Sequence, residues 1–194
     1  MWPAPVTLTG AFCTLVPLSA EHAPDLAEAS ADGDLHQLWY TSVPSPEAVP
    51  KEITRRLNLP DMTPFAILDT TGKPIGMTTY MKTDAPNRRV EIGSTWYRKS
   101  VQRSPINTEC KLMMLRHAFE TLDCIAVTFT THFLNRQSRT AIERIGAKLD
   151  GVLRNHSIMA NGTLRDTAVY SICQHEWPAV RANLEHKLAT MPKS

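Results

Sequence analysis

Glycine is scarce in this chain of 194 residues, and proline is plentiful. Average usage at this length gives roughly 14 glycines and 10 prolines, whereas the chain has 8 and 14. It contains no Gly-x-Gly and no glycine between Gly93 and Gly146. That excludes a Walker loop and a dinucleotide fingerprint, both of which need glycines in series. Basic residues are missing from the first fifty positions, which hold six acids (Glu21, Asp25, Glu28, Asp32, Asp34, Glu47) and no Lys or Arg. A positively charged leader n-region is therefore not expected. No apolar run approaches the roughly 18 residues of a membrane span, and Pro3, Pro5 and Pro17 interrupt the uncharged start. The expectation is a soluble, cytoplasmic protein without a membrane partner. The four cysteines (Cys13, Cys110, Cys124, Cys173) show no Cys-x-x-Cys spacing and accompany no His pair at metal spacing. They read as reduced core thiols, with no metal site. Gly-x-Ser-x-Gly, His-Glu-x-x-His and the zinc-deaminase spacing are absent as well. A nucleophilic pair of Cys124 and His132 fails on distance, being about 26 Å apart on one extended strand.

What is present is globular: 42% hydrophobic and 21% charged residues, in a length that suits a single domain spanning 1–194. Extended and helical patterns alternate, which argues for a mixed α/β fold. Strands are expected at Val6–Leu8 and Phe12–Leu18 around a turn at Gly10. An acidic amphipathic helix follows at Glu21–Leu38, then a proline-rich loop over Thr41–Pro50 and a short basic helix to Asn58. Phe65–Asp69 and Pro74–Lys82 form a hairpin. Arg89–Tyr97 is a strand whose alternation puts Val90, Ile92, Ser94 and Trp96 on one face and Glu91, Gly93, Thr95 and Tyr97 on the other. Ser104-Pro105 is a helix start, and the helix running to about Leu122 is apolar nearly all round, so it should be packed on most sides. Cys124–Thr131 reads as a strand, Arg136–Ile145 as a helix stopped by Gly146, and Ala147–Arg154 with Thr167–Cys173 as strands about the Asn161-Gly162 turn. An amphipathic helix at Glu176–Ala189 closes the chain.

The net charge of +2 conceals an uneven distribution. Residues 98–148 hold nine Lys or Arg (Arg98, Lys99, Arg103, Lys111, Arg116, Arg136, Arg139, Arg144, Lys148) against four acids. A basic region that begins at a strand-to-helix junction suits a phosphorylated ligand, because a helix start offers free amides and a favourable dipole. A solvated charged surface is the alternative reading of the same residues. Nucleic-acid binding fits least, since aromatic residues are not interleaved with the charges and no nucleic-acid partner is expected.

Four runs decide between these readings. They are Glu91-Ile92-Gly93-Ser94-Thr95-Trp96-Tyr97; Gln102-Arg103-Ser104-Pro105-Ile106-Asn107-Thr108-Glu109; and Leu134-Asn135-Arg136-Gln137-Ser138 with Ile142-Glu143-Arg144-Ile145-Gly146-Ala147. In this order and spacing they resemble the GNAT acetyltransferase superfamily, most closely its RimJ/RimL type, which acetylates protein amino termini and other amines. The resemblance covers about residues 8–173. It implies a single-domain GNAT fold of α/β (α+β) class, with a mixed twisted sheet, central strands that splay apart, and flanking helices. Acetyl-CoA would lie in the gap as co-substrate, its pantetheine arm against backbone at Trp96 and Tyr97. Its pyrophosphate would sit on Gln102, Arg103, Ser104, Ile106, Asn107 and Thr108, where unpaired helix-terminal N–H groups can hold phosphate oxygens. Asn135 corresponds to the family asparagine on the coenzyme arm and Ser138 to the hydroxyl near its sulfur. A helix N-cap and a solvated first-turn serine are the alternative roles for these two residues.

The same resemblance makes Glu91 the general base, since an amine nucleophile must lose a proton; a strand glutamate paired with Arg88, Arg89 or another cation is the alternative. Ile142 stands where many members carry a proton-donating tyrosine, which leaves Ser138 or water for the departing thiolate. The phosphate loop also departs from the family pattern, Gln/Arg-x-x-Gly-x-Gly/Ala, by placing Pro105 and Asn107 at its small residues. Proline has no N–H, so one charge-assisted hydrogen bond is missing, about 1.5–3 kcal/mol, against about 0.4–1 kcal/mol recovered from its pre-set φ. Weakened coenzyme binding is the expectation. Trp39 and Tyr40 are candidate substrate-binding residues, an apolar wall with a polar tip beside an acidic segment able to attract a cationic amine, or else they are core and surface. The acceptor is a small-molecule amine or a protein amino terminus, attacking directly in a ternary complex, and a homodimer is the family habit. A coenzyme-A-binding module or interaction protein with little or no turnover is the competing function.

Overall fold

The computed structural model describes residues 2–41 and 43–191. Eight strands form one sheet: β1 (Leu8–Thr9), β2 (Thr14–Pro17), β3 (Thr63–Leu68), β4 (Pro74–Asp84), β5 (Arg89–Tyr97), β6 (Ala126–His132), β7 (Lys148–Ile158) and β8 (Leu164–Cys173). Their spatial order is β1-β2-β3-β4-β5-β6-β8-β7, and every pairing is antiparallel except β5 with β6. The helices are α1 (Ala23–Ala31), α2 (Val49–Leu57), α3 (Ile106–Arg116, continued by a π-turn to Thr121), α4 (Arg136–Arg144) and α5 (Trp177–Thr190). None is long and apolar enough to cross a membrane.

Two buried clusters lie on opposite faces of the sheet. The larger unites Val90, Ile92, Val127, Phe129, Tyr170 and Ile172 with Cys110, Met114 and Leu115 of α3 and Trp177 and Leu184 of α5. The smaller joins Leu26 and Ala29 of α1 and Val49 and Ile53 of α2 to Ala66, Met77 and Trp96. Helix α3 is packed on most sides, every residue from Thr108 to Leu115 being buried. Its Glu109 carboxylate accepts the backbone N–H groups of Ala11, Phe12 and Cys13 at 2.7–2.9 Å, which ties the β1–β2 turn to the helix. All four cysteines are free, and burial pushes the Cys124 thiol up to about 11.

Several expected elements change in extent. The helix expected over Glu21–Leu38 ends at Ala31, because the Asp32 carboxylate leaves it to accept the Ser100 N–H and hydroxyl and to bind Arg98. Gly33 then turns at φ +87°, where an added Cβ would lie 2.4 Å from Lys99. Pro50 belongs to the first turn of α2 rather than to the loop before it, a position where the missing N–H costs nothing. The β7–β8 hairpin is longer than expected, since its polar, exposed arms continue pairing out to Ile158 and Leu164.

The most consequential change is in β5. Met77 pairs with Trp96 and Thr79 with Gly93, so two residues of β5, Ser94 and Thr95, face the single Thr78 of β4. This bulge at Ser94, whose φ is +49°, interrupts the expected alternation. Val90 and Ile92 face the larger cluster as expected, but beyond the bulge Tyr97 joins them and Trp96 turns to the smaller one. Gly76 permits the close approach of β4 here, for a Cβ would lie 2.2 Å from the Trp96 carbonyl oxygen.

Candidate functional site

Strands β5 and β6 are paired only at Arg89–Ala126, Val90–Val127 and Glu91–Thr128. Beyond Glu91 they separate, and the β5 edge from Ile92 to Tyr97 carries backbone groups without a ladder partner on that side. Buried backbone polar groups seek partners, so this edge is prepared for the amides of an extended ligand. The gap opens into a cleft of about 880 Å³, within the size range of cofactor pockets. Its walls are β5, the loop 101–104, the first two turns of α3, the end of β6, helix α4, the segment around Tyr40, Arg165 and the end of α5.

The bulge that begins the separation is braced from α2. The buried Arg56 guanidinium donates to the Ser94 carbonyl at 3.1 Å, to the Thr79 hydroxyl at 2.9 Å and to Glu52 at 2.7 Å. At the other end, Ser104 Oγ accepts the Ile106 N–H and donates to the Val101 carbonyl. The first i→i−4 bond of α3 runs from Glu109 to Pro105. The N–H groups of Asn107 and Thr108 precede that bond and have no partner among the described residues, and both residues line the cleft.

Six cationic side chains (Arg103, Lys111, Arg136, Arg144, Arg165, Lys187) and no carboxylate line the cleft among the described residues. Four come from the basic region 98–148. Of its remaining cations, Arg98, Arg116 and Lys148 form surface ion pairs, and Arg139 donates to Tyr170 and lies over Phe133. The phosphate-site and charged-surface readings therefore divide the region between them. Lys111 is buried on α3, donating at 2.8 Å to Thr95 and 3.3 Å to Thr78. No carboxylate lies within ion-pair reach among the described residues, and burial pulls its pKa below the ordinary lysine value.

Of the expected site residues, Trp96, Tyr97, Gln102, Arg103, Ser104, Asn107, Thr108, Asn135, Ser138 and Tyr40 line the cleft. Gln102 donates to the Tyr97 carbonyl and accepts from Gln137, bridging β5 to α4 at the rim. Asn135 caps α4 through the Ser138 N–H at 3.0 Å, and its amide nitrogen has no partner among the described residues. Ile106 does not line the cleft: it packs against the larger cluster. Glu91 lies just outside the cleft lining, only 4% exposed, accepting from Lys82 at 2.8 Å and from the Thr130 hydroxyl at 2.7 Å. The cation anticipated beside it is thus Lys82, not Arg88 or Arg89, and Thr130 stands between Glu91 and the cleft. The acids of the first fifty residues do not line the cleft; Glu28 and Asp32 bind Lys73 and Arg98, so a local acidic attraction for the acceptor is not what the cleft presents.

Trp39 and Tyr40 meet edge-on and both reach His132 at the end of β6, with ring centroids 5.2 and 6.5 Å away. His132 Nδ1 accepts the Leu134 N–H, which assigns the proton to Nε2. Burial, with Arg165 nearby, lowers the His132 pKa. Sequence reasoning missed Thr130, His132 as a cleft residue, Arg165 and Lys187, which carry no local signal. It named Lys111 only among the basic residues, although a lysine on an otherwise apolar helix was a legible anomaly.

Comparison with known proteins agrees with this architecture. A family profile described as Acetyltransferase (GNAT) domain matches residues 13–148. YdaF of Bacillus subtilis (strain 168), a protein named for ribosomal N-acetyltransferase activity, is 32% identical over 106 residues, 55% of this chain and 57% of its own length. The chain thus spans little more than half of that curated relative. A crystal structure from T. thermophilus, described as an acetyltransferase, is 33% identical with a TM-score of 0.86, covering 97% of this chain and 100% of that one. Mycobacterium smegmatis RimJ, solved with CoA-disulfide, shares the fold at 20% identity and a TM-score of 0.77, over 96% and 95% of the two chains. With its splayed central strands, cationic cleft and matching profile over most of its length, the chain belongs to the GNAT acetyltransferase family.

Proposed function

We propose that this protein transfers acetyl from acetyl-CoA to a primary amine, in the manner of RimJ/RimL-type enzymes. One observation carries the reading: the cleft between β5 and β6 is lined by six cations and, among the described residues, no carboxylate, which suits the phosphates of coenzyme A. The free β5 edge suits its pantetheine amides, and the CoA-disulfide bound by the RimJ neighbour supports the same ligand class.

In the proposed reaction an N–C bond forms as the amine attacks the acetyl carbon, and the C–S bond breaks. The amine proton passes to Glu91 through the Thr130 hydroxyl, which already donates to Glu91 Oε1. The departing thiolate takes a proton from Ser138 or from water. His132 is not the base, because its Nδ1 lone pair is engaged by Leu134. Thiol release should be followed with a panel of amines and amino-terminal peptides. Glu91→Gln and Thr130→Val should each lower kcat by about 10²-fold, with acetyl-CoA affinity unchanged by calorimetry. Full activity of Glu91→Gln at every pH would remove Glu91 from the mechanism. Binding without turnover is the second reading, favoured by the aliphatic Ile142 in the cleft wall; it requires calorimetric CoA binding with no acetyl transfer to any amine.

A further inference from the structure

The gap between β5 and β6 carries ionisable groups on both faces of the sheet. Val90 and Ile92 point into the larger cluster beneath α3, so Glu91 between them points to the opposite face, where Thr130 meets it. At the bulge Thr95 turns the other way, and its Oγ1 accepts from Lys111 Nζ of α3 at 2.8 Å. Thr95 is half-buried and lines the cleft, with Lys111 buried behind it. Coenzyme phosphates at the Asn107 and Thr108 amides of α3 would lie on this second face. A thioester threaded through the gap then has a carboxylate on the side from which the amine attacks and an ammonium on the side toward which the thiol departs.

Thr95 Oγ1 also lies 2.8 Å from Thr78 Oγ1. With Thr78 donating in that pair, Thr95 accepts two hydrogen bonds, and its own proton has only the Gly93 carbonyl at 3.4 Å and the cleft to turn to. A hydroxyl that accepts from an ammonium is a stronger acid than a free one, because the charge stabilises the forming alkoxide. Ser138 has no such support: no cation donates to its hydroxyl among the described residues, and Ile142 has no proton to give.

We infer that Thr95, resupplied by Lys111, protonates the departing thiolate, Thr95 as a catalytic residue and Lys111 as the positioning residue behind it. This rests on the acetyltransferase reading and gives Thr95 the role otherwise left to Ser138 or water. As the N–C bond forms and the C–S pair returns to sulfur, sulfur takes the Thr95 hydroxyl proton and Thr95 takes one from Lys111. Solvent then restores the Lys111 proton while Glu91 releases the one it gained from the amine.

The test measures kcat at saturating acetyl-CoA, with an amine the wild type acetylates, for Thr95→Val, Thr95→Ser and Lys111→Met. Thr95→Val and Lys111→Met should each lower kcat about tenfold or more, Thr95→Ser should stay within about threefold of wild type, and Thr95→Val should bind acetyl-CoA normally by calorimetry. Wild-type kcat should fall at alkaline pH as Lys111 loses its proton, below the ordinary lysine value, and Lys111→Met should lack that limb. Of its neighbours, Cys110 on α3, Tyr80 on β4 and Tyr97 on β5 are pushed by burial above their ordinary values. Glu109 is held by the β1–β2 turn, and Arg103 and Arg136 line the cleft as permanent cations. Full kcat in Thr95→Val, an unchanged alkaline limb in Lys111→Met, or a greater loss in Ser138→Ala than in Thr95→Val overturns the inference alone. Absence of thiol release by the wild type with every amine ends the acetyltransferase reading, and this inference with it.

Discussion

Lys111 shows how a single residue can serve the site at the expense of the fold. A buried ammonium held only by two threonine hydroxyls is poorly compensated for the water it loses. Its long-range attraction for a polyanion in the adjoining cleft is correspondingly strong in a low-dielectric setting. Lys111→Met, which keeps volume and removes charge, should raise the thermal midpoint of the protein alone and weaken acetyl-CoA binding several-fold. Scanning calorimetry and titration calorimetry on the same variant check both halves, and a lowered midpoint with unchanged affinity would reduce Lys111 to an ordinary packing residue. The signal was present in the sequence, where Lys111 interrupts Cys110, Leu112, Met113, Met114 and Leu115, but the apolar character of the helix as a whole outweighs one charge in any reading by periodicity.

At the scale of elements, the cleft depends on the bulge in β5. Ser94 adopts a left-handed φ that costs on the order of 1–3 kcal/mol for a non-glycine residue, and the Arg56 contacts to Ser94 and Thr79 hold it there. Arg56→Met should therefore destabilise the fold by about 1–3 kcal/mol, the cost of leaving the buried Ser94 carbonyl and Thr79 hydroxyl unpaired while Glu52 keeps Arg55. It should also weaken acetyl-CoA binding in protein that remains folded, since β5 can then recover regular pairing. Urea denaturation and calorimetry measure the two effects separately. Nothing in the alternation of Arg89–Tyr97 forecast this. A bulge leaves composition unchanged and shows only when strand partners are aligned. The start of α3 was legible, by contrast, because Ser104 and Pro105 are local signals; the structure shifts the free amides to Asn107 and Thr108, just past the missing proline N–H.

Across the whole molecule, stability should depend on pH in one direction. The carboxyls of Asp32, Asp166 and Glu176 are held below their ordinary values chiefly by hydrogen bonds from Ser100, Asn155 and Cys173. Their contribution is complete above the unfolded values of 3.8 and 4.5 and is lost as pH falls through the lower folded ones. His22, His117 and His132 are pulled below 6.5 by burial, so the unfolded chain takes up their protons first and stability starts to fall as pH drops below 6.5. The thermal midpoint should decline gradually from about pH 6.5 and steeply below about 4.5. A midpoint that rises between about pH 7 and 5 would contradict these assignments.

The sequence by itself determined the order and type of the elements, the start of α3, the basic region and the family, because these rest on signals within a few residues: periodicity, caps, turns and ordered motifs. Only the tertiary structure decided which cations enter the cleft, that Thr130 stands between Glu91 and the cleft, and that His132, Arg165, Trp39 and Tyr40 share one corner. Those groups lie on separate elements, and the register of β6 with β8 and the bulge in β5 bring them together. Register is set by pairing between distant segments, so no local pattern encodes it.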